Sequence, residues 1–557
     1  MKNVSVDHAA QIIGVSSATI RNWVKAGQIS PVSARPLSFS AESVLGLKNS
    51  IGSESFNRLK TRANKIGSAN SFMPEEYAEN KTLISAITNI VSLLKEKNLD
   101  IEYVMFLASL RLLEANNEIE KLEHEKFNLE SYGSWARESV KLVIFEWHST
   151  LDEKINEDYY DGLYRLIAPY EADDFLGLLY QSLFKEGNKS EQGSYYTPSK
   201  LVADALSYMR KPVETFLDPC CGAGKYLLMA AKQFNLAPEN IYGFDCDKIA
   251  IYIAKINLLL AYKDIDFVPN IYCLDSLSEL ATGQMFCQTN NLIGNIDAIA
   301  TNPPWGAYKN ISSKNKSSGK VKSGETFSLF LEKSIQLLRQ GGQLSFILPE
   351  SILNIKTHAD IRELVLTDTT IMNISLLGRQ FTGVFTPVIR LDILKETASS
   401  LCEIAIERNG KISHIKQERF KGNSQFTFDV ATELPEQEAL LNKIYAIEHL
   451  TLAKNAEWAL GIVTGDNKKY VLDDTVEGAE AVFRGSDVFQ YSLGEPKSFI
   501  IFTPEIFQQV APERFFRKPE KLIYKFISKK LVFAYDNCQQ LTLNSANILI
   551  PAIPNMG

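Results

Sequence analysis

Residues 216–224 have the sequence FLDPCCGAG, and they carry the strongest structural signal in the chain. The apolar run that ends at Asp218 favours a strand, whereas residues 225–234 have a helical pattern. Gly222 and Gly224 permit a tight turn between them and the close approach of a ligand. The carboxylate of Asp218 can accept a hydrogen bond from a ligand ammonium group. The stretch therefore predicts a strand, a ligand-binding loop and a helix in succession.

Similar units follow this stretch along the chain. Short apolar or aromatic runs alternate with helical patterns, and these runs are Ile241–Phe244, Asn270–Leu274, Ala298–Thr301 and Gln343–Leu348. Strands that alternate with helices form a parallel sheet with helices on its faces. We therefore predict an α/β, doubly wound, Rossmann-like core, preceded by helical regions and followed by an α+β or mainly β unit.

The length of 557 residues suggests three or four structural units. The predicted units are a helix-turn-helix head over 1–48, a linker over 49–74, a helical domain over 75–190, a sheet-forming domain over 191–400 and a last domain over 401–557. Apolar residues make up 45% of the chain and charged residues 22%, which is typical of globular proteins. The net charge of −7 excludes a uniformly basic nucleic-acid-binding surface but permits a local basic groove.

The seven cysteines, at positions 220, 221, 246, 273, 287, 402 and 538, have no paired metal-ligand spacing. We predict that they are buried small hydrophobic residues in a reducing cytosol and that no metal is bound. The N-terminus lacks the apolar run of a signal peptide, and no stretch reaches the roughly 18 apolar residues of a membrane span. A soluble, cytoplasmic protein without a membrane partner is expected.

Acidic residues end three successive predicted strands, and this pattern predicts a nucleoside site. Asp245 follows Gly224 by 21 residues (245 minus 224), the offset at which an acid meets the ribose hydroxyls in doubly wound folds. Asp275 ends the next strand and can accept from an adenine amino group. Each acid alone is more often a turn or cap residue, but three at one sheet edge favour a ligand. The three-glycine dinucleotide fingerprint is missing, so a nucleoside without phosphates is predicted.

A predicted strand stops at Asn302, Pro303, Pro304 and Trp305. The two prolines make the turn rigid, and they lack N–H groups, so carbonyl oxygens dominate it. Such a turn suits an amino-group substrate, because the Asn302 side-chain oxygen and the Pro303 carbonyl can accept hydrogen bonds from its N–H groups. These bonds would pull the nitrogen of an aromatic amine toward tetrahedral geometry and make its lone pair available.

These motifs together resemble the gamma-type adenine-N6 DNA methyltransferases of bacterial restriction-modification systems. The resemblance runs from GSYYTP (193–198) through DPCCGAG (218–224) to NPPW (302–305), with FLEK (330–333) and GG (341–342) beyond it. It implies a class I S-adenosylmethionine-dependent core, with 191–400 as the catalytic domain and 401–557 as the target-recognition domain. The implied catalytic residues are Asn302, Pro303, Pro304 and Trp305. The implied cofactor-binding residues are Tyr196, Thr197, Asp218, Cys220, Gly222, Gly224, Asp245, Asp275 and Asn302.

The resemblance also implies that the target adenine leaves the duplex and stacks on aromatic rings. Trp305 would cover one face, although the commoner residue at this place is Tyr or Phe. For the other face, Phe381 after the Leu377-Gly378 strand end is preferred, and Phe385 is the competitor.

Three basic segments are predicted to contact duplex DNA. The first is the second helix of the head, which resembles the MerR/excisionase type; the second is a lysine-rich segment after the catalytic loop; the third is the aromatic and basic segment 513–530. The predicted contact residues are Thr19, Arg21, Asn22, Lys25, Lys314, Lys316, Lys320, Arg514, Arg517, Lys518, Lys525 and Lys529.

The sequence is compatible with alternative functions. The chain could be the modification subunit of a multi-subunit restriction system, with a separate specificity subunit and a recognition domain that is partial or shared. It could also be a non-enzymatic DNA-binding regulator with a methyltransferase-like body. A bifunctional methyltransferase-nuclease is disfavoured, because 75–190 has no convincing acid-acid-lysine cluster. A cognate restriction endonuclease is the other partner considered.

Overall fold

The computed structural model describes residues 3–6, 29, 32–34, 37–40, 43–44, 80–97, 99–121, 129, 132–151, 164, 174–183, 196–277, 292–306, 319–381, 386–399, 401–422, 425–431, 435–452 and 455–552. The chain forms two compact units, Met1–Glu433 and Leu434–Gly557. Among the helices in these ranges, none is both long and apolar enough to cross a bilayer.

The first unit begins with a small antiparallel sheet of order β1-β3-β2, formed by β1 (Asn3–Ser5), β2 (Ser33–Ala34) and β3 (Leu37–Ser40). The predicted contact residues Thr19, Arg21, Asn22 and Lys25 lie outside the described residues, as does the predicted linker over 49–74. The helix-turn-helix head therefore stays a prediction.

Helices dominate the next segment. They are α1 (Lys81–Lys97), α2 (Ile101–Ala115), α3 (Glu138–His148) and α4 (Phe175–Leu183), with a hairpin of β4 (Ile119–Lys121) and β5 (Tyr132–Trp135). The side chain of Asp100 accepts a hydrogen bond from the Tyr103 N–H at 3.1 Å and so begins α2 as an N-cap.

A nine-stranded sheet forms the centre of this unit. Its strands are β6 (Phe216–Asp218), β7 (Ile241–Asp245), β8 (Asn270–Cys273), β9 (Ile296–Thr301), β10 (Leu338–Pro349), β11 (Thr370–Gly378), β12 (Val388–Leu394), β13 (Glu403–Arg408) and β14 (Lys411–Lys416). The order is β14-β13-β11-β12-β10-β9-β6-β7-β8. Strands β6 to β10 run parallel to one another, and β12 is antiparallel to both of its neighbours.

Helices cover both faces of this sheet. They are α5 (Ser199–Ser207), α6 (Lys225–Phe234), α7 (Lys248–Ala261), α8 (Thr326–Leu337) and α9 (Ala359–Asp368). Successive strand residues point to opposite faces: Phe216 packs in the cluster of α5, α6 and α7, whereas Leu217 packs in that of α8 and α9. The predicted doubly wound α/β fold is confirmed, and α6 has the bounds that the sequence predicts.

The helical segment shares a core with the sheet domain. Trp147 of α3 stacks on Tyr252 of α7, with ring centroids 4.9 Å apart and an interplanar angle of 8°. The buried Arg137 pairs with Glu118 and donates to the carbonyl of Leu259 near the C-terminal end of α7. Because a buried guanidinium needs several acceptors, these bonds fix the helical segment against α7.

The second unit is rich in short strands. Its elements are α10 (Pro435–Ala446), β15 (Ala456–Ala459), α11 (Asn467–Tyr470), β16 (Val471–Leu472), β17 (Glu480–Phe483), β18 (Val488–Phe489), β19 (Ser492–Leu493), β20 (Phe499–Ile500), α12 (Glu513–Phe516), β21 (Lys521–Lys525), β22 (Phe533–Asp536), β23 (Leu541–Thr542) and β24 (Ala546–Pro551). Two four-stranded sheets have the orders β15-β24-β21-β22 and β16-β20-β17-β23.

The first unit ends later than the bound at 400/401 expected from the sequence. Strand β13 pairs in parallel with β11, and β14 pairs with β13, so both extend the central sheet. The compact unit consequently ends at Glu433. The side-chain patterns of β13 and β14 do not show that these strands belong to the central sheet, because pairing with a distant strand leaves no local signal.

Candidate cofactor and substrate site

The predicted site residues meet at one edge of the central sheet. Asp218 and Asp245 are the last residues of β6 and β7, Asp275 follows β8, and Asn302 follows β9. These strands are parallel, so their carboxyl ends lie at the same edge. Strand β6 lies between β7 and β9, where the strand order reverses, and open α/β sheets bind ligands at such a point.

Backbone hydrogen bonds hold the glycine loop against β7. The Cys221 N–H donates to the Phe244 carbonyl at 2.8 Å, and the Gly222 N–H donates to Asp245 Oδ2 at 2.9 Å. Gly224 has φ +90°, and a Cβ there would lie 3.0 Å from the Cβ of Ala254 on α7. Gly222 has φ +49°, and its Cβ position has no atom within 4 Å. The loop is therefore packed tightly on one side and open on the side of Gly222.

The two strand-end carboxylates are held in different ways. Asp218 is 1% exposed and accepts from the Cys220 N–H at 3.0 Å. Burial raises the pKa of Asp218 to about 7. Asp245 accepts from Gly222 and, at 2.9 Å, from the Asp247 N–H; burial raises its pKa, and these backbone donors oppose the rise. A carboxylate has about four acceptor positions, so Asp245 keeps acceptor capacity for a ligand.

The turn after β8 is tied to the glycine loop. The hydroxyl of Ser276 donates to the Pro219 carbonyl at 3.1 Å, and Asp275 accepts from the Leu277 N–H at 3.1 Å. These bonds bring the third acid of the sequence pattern to the same edge as the other two.

The prediction that the cysteines are buried is wrong for several of them. Cys246 and Cys273 are exposed, as is Cys538 in the second unit, whereas Cys221 is buried and Cys287 lies outside the described residues. Cys273 is the last residue of β8 and Cys246 follows β7, so both emerge at the open edge of the sheet. Apolar neighbours in sequence did not indicate burial, because the strands end there.

Two polar contacts at this edge were not predicted from the sequence. The Tyr180 hydroxyl on α4 donates to Asp247 Oδ2 at 2.6 Å, and Asp247 Oδ1 caps α7 by accepting from the Ile249 N–H at 3.0 Å. The Lys225 ammonium lies 4.0 Å from the ring centroid of Tyr196 and donates to its hydroxyl. An acid directly before a helical pattern could have identified the Asp247 cap, but no local signal could identify Tyr180.

A hydrogen bond from its amide nitrogen holds the Asn302 side chain. Its Nδ2 donates to Thr197 Oγ1 at 3.2 Å. Its Oδ1 is buried and accepts no hydrogen bond from the described residues. A buried acceptor without a partner costs about 1–3 kcal/mol, so this oxygen is poised for a donor from a ligand. The structure thus brings together Thr197 and Asn302, both predicted from the sequence.

The two aromatic rings predicted to flank a base contact each other. The centroids of Trp305 and Phe381 are 5.5 Å apart, and the rings are nearly perpendicular at 77°. Phe381 is buried beside Leu201, Ile347 and Val388. The structure therefore shows an edge-to-face pair rather than two parallel walls. Phe385 lies outside the described residues.

Several of the predicted DNA-binding cations are already paired within the protein. Lys320 contacts Asp368 at 2.9 Å; Lys314 and Lys316 lie outside the described residues. Arg514 makes two hydrogen bonds to Glu457 at 3.0 and 3.1 Å, and Arg517 makes two to Glu480 at 2.5 and 2.7 Å. Lys518 and Lys529 are exposed, and Lys525 is half-buried. The carboxylates reduce the positive potential that the sequence count of 513–530 suggests.

The sequence of this chain is similar to those of restriction-modification methylases. Residues 239–382, which include Asp245, Asp275 and Asn302, match the Eco57I restriction-modification methylase family, and residues 480–556 match the TaqI-like C-terminal specificity domain. The Type II methyltransferase M.VspI of Vibrio sp. (strain 343) is 27% identical over 494 residues, 87% of this chain and 96% of that protein.

Solved structures show the same likeness at the level of the fold. The Type IIL restriction-modification enzyme MmeI in complex with DNA has a TM-score of 0.55 at 11% identity, covering 85% of this chain and 82% of that chain. The DrdV–DNA complex has a TM-score of 0.54 at 14% identity, covering 85% and 62%. These likenesses concern the fold alone, and the predicted α/β fold class is confirmed.

Proposed function

We propose that this chain transfers a methyl group from S-adenosylmethionine to the N6 amino group of adenine in a specific double-stranded DNA sequence, as the modification enzyme of a restriction-modification system. The buried Oδ1 of Asn302 carries the proposal, because no described residue donates a hydrogen bond to it and it lies at the sheet edge that holds Asp218 and Asp245. The similarity to restriction-modification methylases supports DNA as the substrate.

The residues at the sheet edge fit S-adenosylmethionine. The open side of Gly222 leaves room for a ligand against the loop backbone. Asp218, once ionised, would hold the methionine ammonium; Asp245 would hold the ribose hydroxyls and Asp275 the adenine amino group. When bound, the cofactor would supply a sulfonium methyl group: the N–C bond forms as the S–C bond breaks, a neutral thioether leaves, and the methylated nitrogen releases one proton to solvent.

The protein prepares the amino nitrogen of the substrate through hydrogen-bond acceptors. Asn302 Oδ1 and the Pro303 carbonyl accept hydrogen bonds from the two N6–H groups and make the nitrogen lone pair available. Thr197 holds the other side of the Asn302 amide, so the oxygen stays directed at the substrate. No further acid is required, and orientation of the two reactants provides much of the rate.

The target adenine reaches this oxygen by leaving the duplex, which costs a few kcal/mol in lost stacking and pairing. Stacking on Trp305 offsets part of this cost. Phe381 already contacts Trp305, so a base stacks on the part of the Trp305 ring that Phe381 leaves free, or else separates the two rings. In this proposal Phe381 supports the Trp305 ring.

The match of residues 480–556 to a specificity domain supports sequence recognition within the same chain. This favours a self-contained methyltransferase over a subunit that depends on a separate specificity protein. Purified protein that methylates DNA without a partner would separate the two cases.

The decisive experiment compares the protein with its Asn302→Ala variant, using plasmid DNA, S-adenosylmethionine and single-molecule sequencing. We expect N6-methyladenine at one recurring sequence and a loss of at least about 100-fold in the variant, comparable to the removal of one preorganised transition-state contact. Asn354→Ala, an exposed amide outside the site, is the matched control. Absence of modified adenine with the unaltered protein would refute the proposal.

A further inference from the structure

The second unit contains a polar depression that the catalytic site does not use. Its volume is about 200 Å³, and it is lined by Val463, Thr464, Gly465, Asn467, Gln508 and Asn544. Three chain segments meet there through backbone bonds: the Val463 N–H donates to the Gln509 carbonyl at 2.8 Å, and the Asn544 N–H donates to the Ile462 carbonyl at 3.0 Å. The depression is therefore built on paired backbone.

The lining is dominated by amide side chains, and one of them is fixed. The hydroxyl of Thr464, which is 4% exposed, donates to Asn467 Oδ1 at 2.6 Å. Among the described residues, this is the one side-chain hydrogen bond of Asn467 that is observed, so its Nδ2 donors and one Oδ1 lone pair are available to a ligand. Gln508 and Asn544 are exposed beside it.

Gly465 keeps the wall beside Gln508 open. Its φ is +78°, and a Cβ at this position would lie 3.2 Å from the Cβ and 3.5 Å from the Oε1 of Gln508. Any larger residue would press on the Gln508 side chain and strain the backbone. The glycine thus preserves space directly beside an amide that can both donate and accept.

We propose that this depression reads an A·T base pair of the recognition sequence in the major groove, with the Gln508 amide pairing with adenine N6 and N7 and the Asn467 Nδ2 donating to thymine O4. The inference rests on the proposed function. An amide pairs in bidentate fashion with adenine, accepting from N6 and donating to N7, and each such pair discriminates by about 1–3 kcal/mol. Thr464 is a positioning residue, since it orients the Asn467 amide.

The charges around the depression favour a base edge over a phosphate. Lys468 and Lys469 are exposed nearby, but Asp466 and Glu505 are exposed as well, so the surface is close to neutral. Phosphate contacts need concentrated positive charge. Neutral amides add little affinity, but they reject a base whose donors and acceptors do not match.

The test uses the full-length protein and a randomised duplex library with two readouts. One readout is the sequence of the methylated duplexes, and the other is the sequence of duplexes retained on the protein with S-adenosylhomocysteine, which requires no methyl transfer. The variants are Gln508→Ala and Asn467→Ala. The neighbouring Gln509→Ala is the matched control, because Gln509 is exposed but does not line the depression.

We expect each of the two variants to lower the preference for A·T at one position by about 5- to 150-fold and to leave other positions unchanged. Gln508→Glu should shift the preference at that position toward C·G, because a carboxylate accepts from cytosine N4. A misfolded variant would not gain this new preference. Gln509→Ala should keep the original profile.

Unchanged profiles in both variants would overturn the inference, as would a uniform loss of binding to all sequences. A partner protein in place of DNA would give the first of these results. If the unaltered protein selects a sequence but never methylates it, the proposed function fails, while the retained-duplex profile still decides the inference. If it methylates adenine without selecting a sequence, the inference fails together with the sequence specificity of the proposed function, while the proposed methyl transfer to adenine stands.

Discussion

Replacement of Asp218 by asparagine should stabilise the protein at alkaline pH while it abolishes tight cofactor binding. Asparagine keeps an acceptor oxygen for the Cys220 N–H but carries no charge. The carboxylate is buried, with a pKa raised from 3.8 to about 7, so the folded protein retains a proton that the unfolded chain has already lost. A pKa raised by folding contributes stability below the unfolded value, and this contribution disappears as the pH rises through about 7.

The size of the effect follows from the two pKa values. Linkage between pKa values of 3.8 and about 7 gives a loss of about 3 kcal/mol between pH 5 and pH 8 from this one group. Urea unfolding of both proteins at pH 5, 6, 7 and 8 measures it. The free energy of unfolding of Asp218→Asn, minus that of the unaltered protein, should rise by about this amount across the series.

The affinity for the cofactor should change with pH in the opposite direction to the stability of the protein. An ammonium group binds the ionised carboxylate, and about one molecule in eleven is ionised at pH 6 if the pKa is about 7. The Kd for S-adenosylhomocysteine, measured by calorimetry, should therefore weaken about tenfold from pH 8 to pH 6. The variant should bind weakly at both pH values. A stability difference that does not change with pH would contradict the effect of burial on Asp218. Normal binding of S-adenosylhomocysteine by the variant would contradict the assignment of the ammonium group to Asp218.

Three further changes test the loop, the core of the second unit and the basic surface. Gly224→Ala should lower the free energy of unfolding by about 1–3 kcal/mol, since φ is +90° and the new Cβ would press on α7; an unaltered urea midpoint would contradict this. Lys521→Met should cost about 3–5 kcal/mol, because it leaves the buried carboxylate of Asp536 unpaired, and adding Asp536→Leu should recover much of the loss in thermal unfolding. Lys529→Ala should reduce the salt dependence of DNA binding by about one unit of slope, whereas Arg514→Ala, which removes an already paired cation, should change it less; equal slopes would argue against this distinction.

Local patterns predicted the sheet edge well. The bounds of α6, the strand ends at Asp218 and Asp245, and the turn at Asn302 were predicted because each depends on signals within a few residues: a glycine pair, an apolar run, a double proline. Parallel strands then place their carboxyl ends at one edge without further information. This is why three acids and an asparagine, far apart in the chain, could be assigned to one site.

The partners of the site residues depend on contacts between distant segments of the chain. Thr197 fixes the Asn302 amide and Tyr180 supports Asp247, but no spacing in the sequence marks either pair. Trp305 and Phe381 both belong to the predicted site, yet their edge-to-face contact depends on the packing of residues around Phe381.

The number of charged residues is set by the sequence, whereas their pairing depends on the fold. The count of cations in 513–530 is a property of the sequence, but the neutralisation of Arg514 and Arg517 by Glu457 and Glu480 depends on how the second unit folds. The amide depression at Gln508 has no sequence signature, because it is formed by three segments that pair only after folding. Chemical identity and local geometry are therefore encoded within short stretches, whereas the pairing, burial and accessibility of those groups depend on long-range packing that a linear pattern does not record.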